Sequence, residues 1–474
     1  MLRKKSRIQV AMKKVIMDKI KFGTDGWRAV INEDFTSQNV QLVAQAFVKY
    51  LKEANLADLG IAIGYDNRLN SEKFALDAAE ICSGAGIKTY LTERSVPTPV
   101  ISYSVKNMGL GAGIMITASH NPPNWNGFKI KEAFGGSAFP ETTKAVESNL
   151  SPILSIKPSK DNIKLFDPDP EYFKQIKSLV NIEKIKEAGI TMVVDAMHGS
   201  GAGYFKRLGL DVIEIRGNID TTFGGINPEP IPANLNASVS YMKNLSKEKT
   251  GACIVLDGDA DRLAAIDITG EFINTHKVFV LLLKHLFENR KMTGDVIKTF
   301  NLSNLINKLC INYKLKLKTT PIGFKHIAKE MIEGDVLLGG EESGGMGIKG
   351  NIPERDGILA GLNLFELMAE TKMNLGKIME NIMQKDGYYY YDRIDVHTQK
   401  AIQIVDLLKN SPPDTFAGLK IASIETLDGL KFNFIDESWI LFRASGTEPL
   451  LRIYAEGRSQ GNLNALLSSA KEII

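Results

Sequence analysis

The sequence predicts an α/β protein of three successive α/β/α domains with mixed sheets, followed by a C-terminal α+β domain. Three observations carry that expectation. Short apolar runs alternate with helical patterns of about ten to fifteen residues, the grammar of βαβ units. The grammar restarts twice further along the chain. From Tyr388 onward it gives way to closely spaced strands with tight turns. The 474 residues allow about three domains of ~150, or four smaller ones.

The first block runs from about Phe22 to Asn149. Its strands are IAIGYD (61–66), IKTYL (87–91) and GIMITAS (113–119), separated by helical stretches such as NVQLVAQAFVKYLKEA. A polar run, SPILSIKPSKDNIKLFDPDP (151–170), reads as a linker. In the second block TMVVDAMHG (191–199) is a strand entering a glycine turn, DVIEIR (211–216) another strand, and ACIVLD (252–257) closes the block. A third opens near LAAIDITG (263–270), with a helix over 275–288 and strands DVIKTF (295–300) and LLGG (337–340). The tail begins at YYYYDRIDV (388–396). A helix AIQIVDLLKN is followed there by KIASIETL, LKFNFI, WILFRAS and LLRIYAEG, nearly all strand, and a closing helix.

Composition excludes several classes. At 44% hydrophobic and 24% charged, the chain is neither disordered nor collagen-like. Lys plus Arg is 58 against 55 Asp plus Glu, so the net charge of +3 leaves no electrostatic footprint for nucleic acid. Cys82, Cys253 and Cys310 lie far apart, which fits reduced thiols in a cytoplasmic enzyme better than a disulfide framework or zinc site. No run of apolar residues is long enough to span a membrane. The basic leader, residues 1–20, has no apolar h-region because Lys13 and Lys14 interrupt it, so it is no secretory signal. It reads as a frayed, disordered leader, or an over-long start with the true one at Met12 or Met17.

Four loops carry chemistry. In TASHNPPNWNGFKIK (117–131), Ser119 lies just past the end of an apolar strand, where open α/β sheets place ligands. A hydrolase nucleophile would want G-x-S-x-G, and the flanks here are Thr117 and Asn121. A turn-capping serine and a serine that carries a phosphoryl group remain, the latter favoured by His120, Lys129 and Lys131, which could supply protons or positive charge. In DGDADR (257–262), Asp257, Asp259 and Asp261 recur at every second position, and such close like charges call for a cation such as Mg²⁺ or Ca²⁺. An EF-hand is excluded by Arg262 and Ile268 at its glycine and glutamate places. In GGEESGGMG (339–347), glycines let backbone approach a ligand while Glu341 and Ser343 suit sugar hydroxyls. In RASGTEPLLRIYAEG (443–457), Arg443, Ser445, Gly446 and Thr447 converge as a phosphate dianion requires, with Arg452 on the next strand. No P-loop motif is present anywhere.

TASHNP (117–122), DGDADR (257–262), GEESGG (340–345) and RASGTEP (443–449), with FGTDGWR at 22–28, resemble the signature loops of the α-D-phosphohexomutase family, the phosphoglucomutase/phosphomannomutase group, in its order. The resemblance covers about residues 20–474; only the leader departs from it. It implies four domains around a central active-site cleft: a phosphoserine-loop domain at 21–160, a metal-loop domain at 161–262, a sugar-binding-loop domain at 263–385 and a phosphate-binding domain at 386–474. It implies Ser119 as phosphoserine and as a metal ligand with Asp257, Asp259 and Asp261 for Mg²⁺. Arg28, His120, Lys129 and Arg262 stand near the reacting group in that reading, with Arg68 behind them. Glu341 and Ser343 then grip the sugar, and Arg443, Ser445, Gly446 and Thr447 hold the phosphate that does not react.

The activity implied is interconversion of hexose 1-phosphate and hexose 6-phosphate, with hexose 1,6-bisphosphate as intermediate and activator. Sugar phosphates are the expected partners of a monomer or homodimer, with neither nucleic acid nor membrane. Glucose is the expected hexose, because Gly345 stands where phosphoglucosamine and dual-specificity enzymes carry His, leaving no cationic group there. The alternatives are a phosphomannomutase or phosphoglucosamine mutase, and more remotely a phosphatase or a non-catalytic sugar-phosphate binding protein.

Overall fold

The computed structural model describes residues 20–23, 25–245, 249–445 and 449–473. The basic leader up to residue 19 therefore lies outside the described residues. Four sheets follow one another along the chain. The first has six strands in the order Gly26–Val30, Trp125–Glu132, Ala112–Ile116, Ile61–Tyr65, Thr89–Thr92 and Ile163–Phe166. Its centre is parallel, and Trp125–Glu132 runs antiparallel to both of its neighbours. The last strand corrects the expected linker: Ile163–Phe166 pairs in parallel with Thr89–Thr92 as an edge of this sheet. Its pattern is weak because it is an edge strand with no fully buried position: Ile163 and Phe166 are half-buried against different cores and Leu165 is 58% exposed.

The second sheet has five strands, Phe272–Ile273, Leu263–Asp267, Gly251–Leu256, Thr191–Asp195 and Val212–Ile215. Leu263–Asp267 pairs antiparallel with Gly251–Leu256, so the expectation that a third block opens at 263 is also corrected. Residues 257–262 turn the chain back on itself instead of carrying it into a new unit. The third sheet has four strands, Leu317–Thr320, Asp295–Thr299, Val336–Gly340 and Met346–Ile348, the last antiparallel. The fourth is a six-stranded antiparallel sheet from Tyr390–His397 to Thr415–Phe416, covered by helices Ala401–Asn410 and Gln460–Lys471.

One apolar core runs through the first three units and centres on helix Gly357–Thr371. That helix is apolar on nearly every side, as its burial in the middle of a large core requires. The tail keeps a core of its own. It meets the third unit through a small patch in which Phe300 packs with Trp439, Leu441 and Tyr454. All three cysteines are buried and free, as expected of reduced core thiols. No helix among the described residues is long and apolar enough to cross a membrane.

Candidate active site

Each of the four loops singled out in the sequence joins two adjacent antiparallel strands. The loop after Ala112–Ile116 returns as Trp125–Glu132, and that after Gly251–Leu256 returns as Leu263–Asp267. Val336–Gly340 returns as Met346–Ile348, and Trp439–Ala444 as Leu450–Gly457. All four units contribute to one cleft of about 750 Å³, whose walls include Arg28, His120, Arg262, Glu341, Ser343 and Arg443.

Five buried residues, Ala112–Ile116, deliver the first loop into the interior. Ser119 is fully buried with φ 52°, a left-handed conformation unusual for a residue with a side chain. The turn is held from behind. Thr117 Oγ1 donates to Asp66 and accepts from the Ser119 amide at 2.9 Å. The fully buried Arg68 side chain donates to the carbonyls of Ser119, Asn121, Pro122 and Trp125 at 2.6 to 2.9 Å. Arg68 therefore braces the loop and does not face the cleft. Ser119 Oγ donates to Asp257 Oδ2 at 2.7 Å and lies 3.4 Å from His120 Nδ1.

Asp257, Asp259 and Asp261 are fully buried, and one carboxylate oxygen from each lies within 4.8 Å of the others. Burial, and then Asp259 and Asp261, push the Asp257 carboxyl well above the usual carboxylate range. Burial also opposes the charge on Asp259, but Lys129 and its hydrogen bond outweigh it and hold that carboxyl well below. Lys129 Nζ donates to Asp259 Oδ2 at 2.8 Å and to Asp261 Oδ2 at 3.4 Å, and Thr98 donates to the same Asp259 oxygen. The second oxygens, Oδ1 of Asp259 and of Asp261, are buried without a hydrogen bond, with Arg262 Nε 3.7 Å from the latter. Buried carboxylate oxygens left without donors are costly, so this donor set fits a hard divalent cation such as Mg²⁺.

Burial, and then Arg262, Arg28 and Lys129, hold the His120 imidazole well below its usual range. Lys131 is fully buried and donates to Glu354 at 2.7 Å and to Ser137 at 3.0 Å. Cationic groups near Ser119 are Lys129, Arg262 and Arg28, which donates to Asn121 at 2.7 Å in the serine's own loop.

In the third loop Glu341 meets Arg355 at 3.3 Å, and the Ser343 hydroxyl is buried without a partner. The sequence reading that Gly345 leaves its place without a cation does not hold. The Arg355 side chain crosses that glycine so closely that an added Cβ would stand 2.2 Å from its Cδ. In the fourth loop Arg443 Nε donates to Asp428 at 2.9 Å, and the Ser445 amide donates to the Leu450 carbonyl at 2.8 Å. Gly446 and Thr447 lie outside the described residues. Arg355, Arg393, Arg452 and Lys325 add to the positive lining, beside Glu229 and Glu342. Arg393 and Lys325 were not singled out from the sequence, because nothing in a strand such as YYDRIDVH says which face meets a cleft.

An α/β/α series closed by an antiparallel domain, with a buried serine and three buried aspartates beside a cleft lined by converging arginines, is an arrangement suited to an anionic substrate. The family is then shown by comparison. Models of phosphoglucomutase/phosphomannomutase α/β/α domains I, II and III match residues 19–155, 170–270 and 274–385, and that of the C-terminal domain matches 396–472. A phosphoglucomutase/phosphomannomutase of Thermococcus kodakarensis is 30% identical over 93% of this chain and 95% of its own. A phosphoglucosamine mutase of Methanococcus maripaludis is 30% identical over 96% and 98%. A crystal structure from Thermus thermophilus, provisionally described as a phosphomannomutase, superposes with a TM-score of 0.85 at 33% identity over 96% and 99%. The chain belongs to the phosphoglucomutase/phosphomannomutase family and is a phosphohexomutase of the α-D-phosphohexomutase superfamily.

Proposed function

We propose that this phosphohexomutase interconverts hexose 1-phosphate and hexose 6-phosphate with Ser119 as phosphoryl carrier. The observation that carries the reading is the Ser119 hydroxyl, 2.7 Å from Asp257 beside carboxylate oxygens that accept no hydrogen bond. Phosphorylated Ser119 would give its phosphoryl group to the free hydroxyl of a hexose monophosphate. The serine oxygen regains a proton as the hydroxyl loses one, and hexose 1,6-bisphosphate results. The intermediate turns end for end, and its other phosphate returns to Ser119. Mg²⁺ held by Asp257, Asp259 and Asp261 would supply charge neutralisation for the transferring group.

The chain's own residues do the rest. Lys129, Arg28 and Arg262 offset negative charge on the phosphoryl oxygens, and neutral His120 is placed to accept a proton rather than supply charge. Glu341 and Ser343 orient the sugar, while Arg443 with Ser445, Gly446 and Thr447 binds the distal phosphate. A free serine is inactive until charged, which makes hexose 1,6-bisphosphate an activator.

The glucose preference expected from Gly345 rested on an empty place that Arg355 in fact occupies. Several relatives bear the name of phosphoglucosamine mutase, which favours that alternative, while another is named a phosphoglucomutase/phosphomannomutase. Comparing kcat/KM for glucosamine, mannose and glucose 1-phosphates at one saturating bisphosphate concentration tests the choice. Glucosamine 1-phosphate is expected first, and a glucose preference above about tenfold would overturn that order. Ser119→Ala should abolish turnover on all three with the fold intact; a fully active variant would remove the mechanism.

A further inference from the structure

Arg355 sits at the junction of the site's loops and has no part in the chemistry above. Its Nη2 lies 2.7 Å from Asp261 Oδ2, its Nη1 3.3 Å from Glu341 Oε1, and its Nε 3.4 Å from Glu354. Its neighbours root it on both sides. Glu354 accepts from Lys131 on a strand of the first sheet at 2.7 Å. Asp356 accepts from the Tyr172 hydroxyl and from the Leu359 amide at 2.9 Å, capping the central helix. The backbone around Arg355 is therefore fixed, and the side chain reaches the cleft through the gap that Gly345 leaves.

Asp261 divides its oxygens. Oδ2 faces Arg355 and Lys129, while Oδ1 makes no hydrogen bond and has Arg262 Nε at 3.7 Å. A guanidinium so placed has two opposed effects on a cation site. It fixes the carboxylate rotamer, and its positive charge repels the ion. Toward Glu341 it has only one effect, which is to hold the carboxylate still.

We propose that Arg355 is a positioning residue that ties the aspartate loop to the sugar loop, fixing Glu341 for the substrate while weakening divalent-ion binding at the aspartates. This rests on the phosphohexomutase reading. A purely structural role would make Arg355→Gln lose ion binding and substrate binding together. The proposal instead gives them opposite signs.

The test is Mn²⁺ affinity by titration calorimetry on the full-length protein, alongside KM for the preferred hexose 1-phosphate. Arg355→Gln should bind Mn²⁺ about threefold tighter or more while KM rises about tenfold. Arg355→Lys keeps the charge and loses the fork, so its Mn²⁺ affinity should stay within about twofold while KM rises several-fold. Weaker or unchanged Mn²⁺ binding in Arg355→Gln, or an unchanged KM in either variant, would overturn the proposal. If Arg355→Gln does not fold, the lysine variant decides alone by the same criteria. Wild-type protein that turned over no hexose monophosphate would remove the mutase reading, and the Mn²⁺ titrations would still judge Arg355.

Discussion

Ser119 is held in left-handed backbone by bonds that reach it from Thr117 and Arg68, and such a conformation survives only where its surroundings over-determine it. While the serine is free, its hydroxyl donates to Asp257; a phosphoryl group on Oγ removes that donor. Asp259→Asn, which removes one ligand charge beside Lys129, should lower kcat about a hundredfold and weaken Mg²⁺ half-saturation. Undiminished turnover of wild-type protein after exhaustive EDTA treatment would show the aspartates to be structural only. At the far wall Arg443 is fixed by Asp428 through Nε. Arg443→Lys keeps the charge without the two-pronged geometry, so steady-state kinetics should show KM rising about tenfold with kcat reduced less. An unchanged KM for the monophosphate would place the distal phosphate elsewhere.

At the scale of elements, the joint between the third unit and the tail is built on two lysines. Lys298 donates to the carbonyls of Leu302 and Ser303, and Lys431 donates to that of Phe300 with its ammonium over the Trp439 ring. Burial, and then Lys431, bring Lys298 down to about 7, and burial brings Lys431 down to about 8. The unfolded chain keeps both protonated up to the ordinary lysine range, so it binds more protons than the folded state above pH 7. Stability from this joint therefore rises with pH from about 7 toward about 10 and levels off below about 7, where both states hold the proton. Thermal unfolding followed by tryptophan fluorescence should show Lys298→Met flattening that rise between pH 7 and 9. An unaltered slope would contradict the assignment. Nothing in DVIKTF marks its lysine as buried, because the signal is a long-range encounter between two domains. Leu263–Asp267 was misplaced for a similar reason: an apolar strand reads alike whether it opens a unit or closes a hairpin.

For the whole molecule, the order of four units and the chemistry of four loops were legible because glycines, prolines and clustered charges punctuate strand ends. What the sequence hid is that one device recurs four times, an antiparallel return that turns each loop into the cleft. Arg355 was hidden as well, since its meaning comes from three loops that meet only in three dimensions. The tail keeps its own core, and bonds such as the Asn304 amide to Glu456, the Ile322 amide to Asp428 and the Tyr391 hydroxyl to Glu342 join it to the third unit. All of this converges on one covalent event at one residue. The direct measurement is intact-protein and peptide mass after incubation with hexose 1,6-bisphosphate. The account predicts one added phosphoryl group, about 80 Da, located on Ser119 and discharged by unlabelled hexose monophosphate. Protein that turns over hexose monophosphates while its phosphoryl group sits on any other residue, or on none, would contradict it.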